Sequence, residues 1–212
     1  MTAPGSSGQE RKAYPVNLVL DGRRCLIVGG GDVARRKADG LLACGGRVHV
    51  VAPRIGEAIR SDPQLTWDER PYQSSDLEEC WLVIAATDRS DVNRSVFLDG
   101  EAAGIWVNGA DDPQHCSFTL PSVVRRGDLM LTVSTGGRSP AVATWIRQRL
   151  EDEIGPEYEV LLDLVSTRRQ AIKAGGGSTE DVDWHSALDS DVLGLIRAGD
   201  LAEARERIES CR

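Results

Sequence analysis

Apolar runs of strand length alternate with helix-period stretches along the first half of the chain. Arg23–Val28, Arg47–Val51, Trp81–Ala86 and Ile105–Asn108 are the runs. Between them stand amphipathic segments, one reaching Leu41-Leu42 and one carrying Val92, Val96 and Phe97. The unbroken apolarity of Trp81–Ala86 is that of a parallel strand buried on both faces. Asn17–Leu20, joined by Asp21-Gly22 to Arg23–Val28, predicts two strands linked by a tight turn. Thr66–Arg70 alternates weakly and predicts a further strand. Ser90 is the expected cap of the helix that Gly104 stops. This alternation up to residue 110 predicts an α/β fold with a doubly wound, Rossmann-like parallel sheet.

The pattern then changes. Ser117–Pro121 and Leu129–Ser134 are expected strands around a polar Arg125–Asp128 turn, and Ser139-Pro140 opens a helix running towards Leu150-Glu151. From Glu157 onward only helical periodicity remains, interrupted at Ala174–Ser178. The expected organisation is a disordered leader (1–13), a nucleotide-binding domain (14–116), a small mixed α/β segment (117–154) and a helical C-terminal domain (155–212). So few strands enclose little core, so the small segment is expected to pair with a second copy of itself, as a dimerisation segment.

Composition narrows the function classes. A net charge of −8 over 212 residues argues against a nucleic-acid partner, though not against a local basic pocket. No run approaches a membrane span, and the first thirteen residues lack the apolar stretch of a signal peptide, so no membrane partner and a cytoplasmic location are expected. Five scattered cysteines, none in C-x-x-C spacing, point to neither a disulfide framework nor a protein-held metal.

The sharpest chemical feature is Gly29-Gly30-Gly31-Asp32-Val33-Ala34 at the end of the Arg23–Val28 run. Read as G-x-G-x-x-A, Gly29 permits the turn, Gly31 lets backbone approach a pyrophosphate, and Ala34 lets helix and strand pack closely. The alternative is a plain tight connection. No acid closes the second strand to hold ribose hydroxyls; Pro53 and Arg54 stand there. Arg54 is either a 2′-phosphate ligand or a solvated loop charge, and the loop backbone can equally cover an adenosine. Thr87, after the Trp81–Ala86 strand, is placed to contact ribose or nicotinamide, or else to cap a helix. Asp111 follows the Ile105–Asn108 strand and is either a proton acceptor beside a cofactor or part of an Asp-Asp-Pro turn. Ser134-Thr135-Gly136-Gly137-Arg138 leads into a helix N-terminus. With Arg125, Arg126, Arg147 and Arg149 it is suited to a substrate bearing carboxylates, or is a simple glycine-rich connection.

Taken in order, Tyr14-Pro15, Cys25–Lys37, Ala85-Ala-Thr-Asp88, Asn108-x-x-Asp111-x-Pro113, Cys116-x-Phe118-x-x-Pro121 and Ser134-Thr-Gly-Gly-x-Ser-Pro140 resemble precorrin-2 dehydrogenases, the dehydrogenase/ferrochelatase module of siroheme synthases. The resemblance covers residues 14–155. It implies NAD-dependent oxidation of the tetrapyrrole precorrin-2 to sirohydrochlorin. In some members it also implies insertion of Fe²⁺ as a second substrate. Carried over, Asp111 takes the catalytic position, Asp32, Val33, Pro53 and Arg54 the NAD-contacting positions, and Thr135 a place in the tetrapyrrole site. A homodimer is implied as well. Two rival readings stand beside it: another NAD(P)-linked oxidoreductase acting on an acidic metabolite, and a non-catalytic nucleotide- or tetrapyrrole-binding module.

Overall fold

A computed structural model describes residues 13–110, 115–189 and 191–210, which form two compact units, one ending at Leu120 and one beginning at Pro121. All but the last residue of the expected leader, the acidic segment 111–114 and the final two residues lie outside the described residues.

In the first unit five parallel strands run in the order β3-β2-β1-β4-β5. They are β1 (Arg24–Val28), β2 (Arg47–Ala52), β3 (Thr66–Glu69), β4 (Leu82–Ala85) and β5 (Trp106–Gly109). β1 pairs in parallel with both β2 and β4, so its two sides are filled. That explains why Asn17–Leu20 is not a strand: no edge of β1 is free to take an antiparallel neighbour. The turn itself forms, closed by the Arg23 amide donating to the Leu20 carbonyl at 2.8 Å.

Successive β1 residues feed different cores, the direct cause of its continuous apolarity. Cys25 and Ile27 pack with Ala34, Ala38 and Leu41 of α1 (Asp32–Leu42). Leu26 and Val28 pack with Val96 of α3 (Ser90–Ala103) and with Val107. The three buried α1 residues recur at helical spacing, the stripe that docks the helix on the sheet. A short α2 (Glu57–Arg60) follows β2. Arg89, not Ser90, precedes α3 as its N-terminal boundary residue, and Ser90 is its first helical residue.

The second unit starts with an antiparallel hairpin of β6 (Ser122–Arg126) and β7 (Leu129–Val133). The expected first strand, Ser117–Pro121, lies instead along the outer edge of β5. There the Ser117 amide donates to the Val107 carbonyl at 2.8 Å and its Oγ accepts from the Val107 amide at 2.6 Å. The turn shortens to Gly127-Asp128, so Arg125 and Arg126 belong to β6. Ser139 caps α4 (Pro140–Glu153) by accepting the Val142 amide at 3.3 Å. Then come α5 (Glu157–Ala174), α6 (Trp184–Asp189), α7 (Val192–Ala198) and α8 (Leu201–Ser210). Val192, Ile196, Ala204 and Ile208 form their core, against Val160, Leu161, Leu164 and Val165 of α5. The hairpin, α4 and the helices thus belong to one unit.

Candidate nucleotide-binding site

The strand order reverses between β1 and β4, and the crevice at their carboxyl ends is where such sheets bind ligands. β1 enters it through three glycines that do different things. Gly29 has φ +134, a conformation nearly closed to other residues, and donates its amide to the Val51 carbonyl at 2.9 Å. A Cβ there would collide with the Ala86 carbonyl oxygen and stand 2.7 Å from its carbon. Gly30 is held as tightly from the other side. Its Cβ would meet the Arg54 carbonyl oxygen and lie 3.0 Å from the Ala52 Cβ, while its own carbonyl accepts the Gly56 amide at 2.9 Å.

Gly31 differs from both. Its backbone is ordinary and extended, no side chain caps α1, and a Cβ would meet nothing within 4 Å. The first helical bond runs from Arg35 back to Gly31 at 3.0 Å, so the Asp32, Val33 and Ala34 amides have no upstream carbonyl to bond. Open space in front of unpaired amides at a helix N-terminus fits the pyrophosphate of a dinucleotide. Val33 is half-buried and Ala34 buried, whereas the Asp32 carboxylate is exposed, so Asp32 offers an anion its amide and not its side chain.

The loop after β2 is fixed around that turn. Pro53 and Arg54 are exposed, and Ile55 is anchored in the core. Glu69, at the end of β3, accepts the Ile55 amide at 3.3 Å and pairs with Arg60. The Arg60 guanidinium, then the Ile55 amide, hold the Glu69 carboxyl below its ordinary range. The acid nearest in kind to a ribose ligand is therefore already engaged with its own loop.

After β4, the Thr87 hydroxyl bonds the Asn93 Oδ1 at 2.7 Å and accepts the Arg89 amide at 3.1 Å. Asn93 Nδ2 returns a bond to the Thr87 carbonyl at 3.0 Å. Thr87 does not cap α3, whose boundary residue Arg89 has no side-chain cap; its hydroxyl shapes the turn before the helix. After β5, the Ala110 amide donates to the Ala85 carbonyl at 2.9 Å. Buried Asn108 donates to the Phe118 carbonyl at 3.0 Å, and the Gly109 amide donates to Cys116 Sγ at 3.1 Å. His115 packs edge-on against Phe97, with ring centroids 5.2 Å apart. Both feet of the loop carrying Asp111 are therefore pinned, while Asp111 itself lies outside the described residues.

In the second unit the Ser134–Arg138 turn is built largely by its own hydroxyls. Ser134 Oγ accepts the Gly136 amide at 3.3 Å, and Thr135 Oγ1 bonds both the amide and the carbonyl of Ser139 at 3.2 Å. Gly136 and Gly137 carry positive φ, and the Arg138 amide donates to the Thr135 carbonyl at 3.1 Å. Of the expected basic cluster, Arg126 donates to the Glu151 carbonyl, Arg147 pairs with the Glu151 carboxylate, and Arg149 stacks on Trp145. These three cations have structural work inside the unit.

Two positions were not singled out from the sequence: Gly30, which the motif treats as variable, and Asn93, which ties down the loop after β4. The run of three glycines was the signal for the first. Nothing local announces the second.

Comparison with known proteins agrees with this geometry. An NAD(P)-binding family model matches residues 16–122, and the model for the central part of sirohaem biosynthesis proteins matches residues 126–153. A siroheme synthase of Nitrosococcus oceani is 36% identical over 201 residues, spanning 92% of this chain and 43% of that protein. One from Chromobacterium violaceum is 38% identical over 204 residues, with the same 92% and 43% coverage. The chain thus spans less than half the length of these curated relatives. The solved structure of SirC, a precorrin-2 dehydrogenase, is similar with a TM-score of 0.72 and 27% identity, over 93% of this chain and 98% of that one. With that NAD(P)-binding model matched over half of its length, the chain belongs to this NAD(P)-binding family.

Proposed function

We propose that this protein oxidises precorrin-2 to sirohydrochlorin in siroheme biosynthesis, with NAD⁺ as the electron acceptor. The observation that carries the reading is the likeness to the SirC precorrin-2 dehydrogenase, which runs over almost the full length of both chains. When bound, the nicotinamide takes up a hydride. The Gly29–Val33 amides hold the pyrophosphate, and the loop at Pro53 and Arg54 borders the adenosine side. NAD is preferred over NADP here by the resemblance, since no local carboxylate decides the matter.

Asp111 is the proposed proton acceptor. Loss of a hydride from the macrocycle must be balanced by loss of a proton, and a carboxylate at the carboxyl edge of the sheet is placed for that task. Ser134, Thr135, Gly136, Gly137 and Arg138 are the proposed contacts for the acetate and propionate groups. The hydroxyls set the turn, and the backbone and Arg138 face the ligand. Fe²⁺ enters as a second substrate, its insertion requiring removal of pyrrole N–H protons by the same carboxylate.

We further propose a homodimer through the hairpin and α4. Among the described residues Val124 is the buried member of the hairpin and Ala143 that of α4, whereas Val142 and Trp145 are exposed. A cytoplasmic location is supported by Cys25 and Cys80, which stand as buried thiols, the state of a reducing compartment. No helix of the described residues is long and apolar enough to cross a membrane.

The test is an anaerobic spectral assay of precorrin-2 with NAD⁺, then with Fe²⁺ added. Formation of the sirohydrochlorin chromophore coupled to NADH is the expected result. NAD binding without turnover would favour a non-catalytic module. Turnover of a different acidic metabolite would favour another oxidoreductase.

A further inference from the structure

The amino edge of the parallel sheet, opposite the nucleotide crevice, carries a cavity of about 620 Å³, within the range of small-molecule sites. Arg24, Arg47, His49, Gln64, Thr66 and Glu79 line it, with Gly45 and Gly46 at its back. Arg24 and Arg47 are register partners on β1 and β2. Neighbouring strands lie about 4.8 Å apart, and in-register residues project to the same face. Arg24 and Arg47 therefore leave the sheet side by side at the cavity wall.

That arrangement has no internal balance. Arg24 Nε donates to Cys80 Sγ at 3.4 Å, leaving its terminal nitrogens for other partners. Among the described residues neither arginine has a carboxylate within ion-pair distance. The acids at hand are Glu79, itself in the lining, and Asp21, whose carboxylate lies against Gly45. His49 is engaged, its Nδ1 sharing a hydrogen bond with Thr66 Oγ1 at 2.8 Å and its Nε2 3.6 Å from Asp68. Like charges directly opposite across a strand pair are destabilising, and in a chain of net charge −8 such a pair stands against the overall balance. Glu79 adds local strain. It is the one described non-glycine residue with left-handed backbone, at φ 60, and such outliers cluster at ligand sites.

We propose that this cavity binds a small multivalent anion, phosphorylated or polycarboxylate, between Arg24 and Arg47. The planar guanidinium fork matches both oxyanion types, and a bound dianion would turn the repulsion of the pair into shared charge-assisted bonds. Gln64 adds an amide donor to the lining. The site is separate from the nucleotide crevice, so its occupancy does not depend on the proposed dehydrogenase activity.

The test uses the full chain saturated with NAD⁺, which fills the pyrophosphate turn. Amide NMR spectra are followed during separate titrations with inorganic phosphate and with citrate, at ionic strength held constant with chloride. Saturable shifts at Arg24, Arg47 and His49 are expected from at least one probe, and which one identifies the anion class. Exposed Arg47→Gln should fold, melt no lower than wild type in chloride because a like charge is gone, and bind the anion about tenfold more weakly. The proposal is overturned if neither probe shifts these amides saturably, or if Arg47→Gln responds as wild type does.

Discussion

Gly30 and Arg54 approach through backbone alone: any Cβ on Gly30 would be driven into the Arg54 carbonyl oxygen. Gly31, the next residue, meets nothing within 4 Å. Neighbouring glycines thus separate folding from binding. Gly31→Val should leave the melting temperature within a few degrees of wild type while abolishing NAD affinity in calorimetry, since the valine enters only the ligand's space. Gly30→Ala should lower stability by about 1–3 kcal/mol through overpacking, seen in the urea midpoint. A stable Gly31→Val protein with unchanged NAD affinity would place the pyrophosphate elsewhere.

Asp111 and Asp112 provide a matched pair for the proposed base. Losing a general base typically costs about 10²–10⁴ in rate, so Asp111→Ala should reduce NAD-dependent oxidation by that order. NAD affinity should persist, because the amides proposed to hold the pyrophosphate lie on another loop. Asp112→Ala should stay within a small factor of wild type. Equal losses in the two variants would remove the assignment. If the wild type inserts iron, Asp111→Ala should slow that step too.

Asp76 gives a pH dependence with a defined sign. Burial raises the pKa of its carboxyl, but Arg70, bonded at 2.6 Å and 3.0 Å, and the Gln73 amide outweigh burial and hold it below the ordinary value of 3.8. A carboxyl depressed in the folded state stabilises the protein above its unfolded pKa. That contribution is lost as pH falls through the folded value. The urea midpoint should therefore decline on acidification below about pH 5, and Asp76→Asn should flatten this decline. At neutral pH the same substitution should cost about 1–3 kcal/mol, because Arg70 loses its buried partner.

The cysteines should separate by reactivity. Burial first, then the neighbouring Cys80 and Cys44 thiols, push the Cys25 thiol up to about 11. In the native protein at pH 8 a thiol reagent should label half-buried Cys44 well before Cys25, as peptide mapping by mass spectrometry would show. Early labelling of Cys25 would mean that the β1 core opens readily.

The dimer proposal predicts that Trp145→Arg lowers the mass seen by light scattering at micromolar concentration from dimer towards monomer. The melting of the first unit should be unaffected. A wild-type monomer under the same conditions would remove the proposal.

The parallel sheet was legible because β1 and β4 are buried on both faces and so read as nearly continuous apolar runs, with β2 and β5 buried over most of their length beside them. The glycine turn was legible because backbone approach at Gly29 leaves no chemical alternative to glycine, whereas at Gly31 a side chain would fill open space before the helix. The errors arose where tertiary context decides. Asn17–Leu20 has strand composition but no edge to join, since β1 is paired on both sides. Ser117 reads as strand, yet both its hydroxyl and its amide are taken by Val107. Thr87 and Thr135 carry hydroxyls that a sequence offers equally to ligand or turn, and the bonding to Asn93 and Ser139 favours the turn.

The strand order β3-β2-β1-β4-β5 has a further consequence for how the protein is made. Every strand of the sheet, the glycine turn and the loop feet at Asn108 and Phe118 lie before Pro121 in the chain. The nucleotide half therefore leaves the ribosome complete while the C-terminal helices of the second unit are still being synthesised. A dinucleotide taken up in the proposed crevice would then hold that half folded on the nascent chain before those helices are complete.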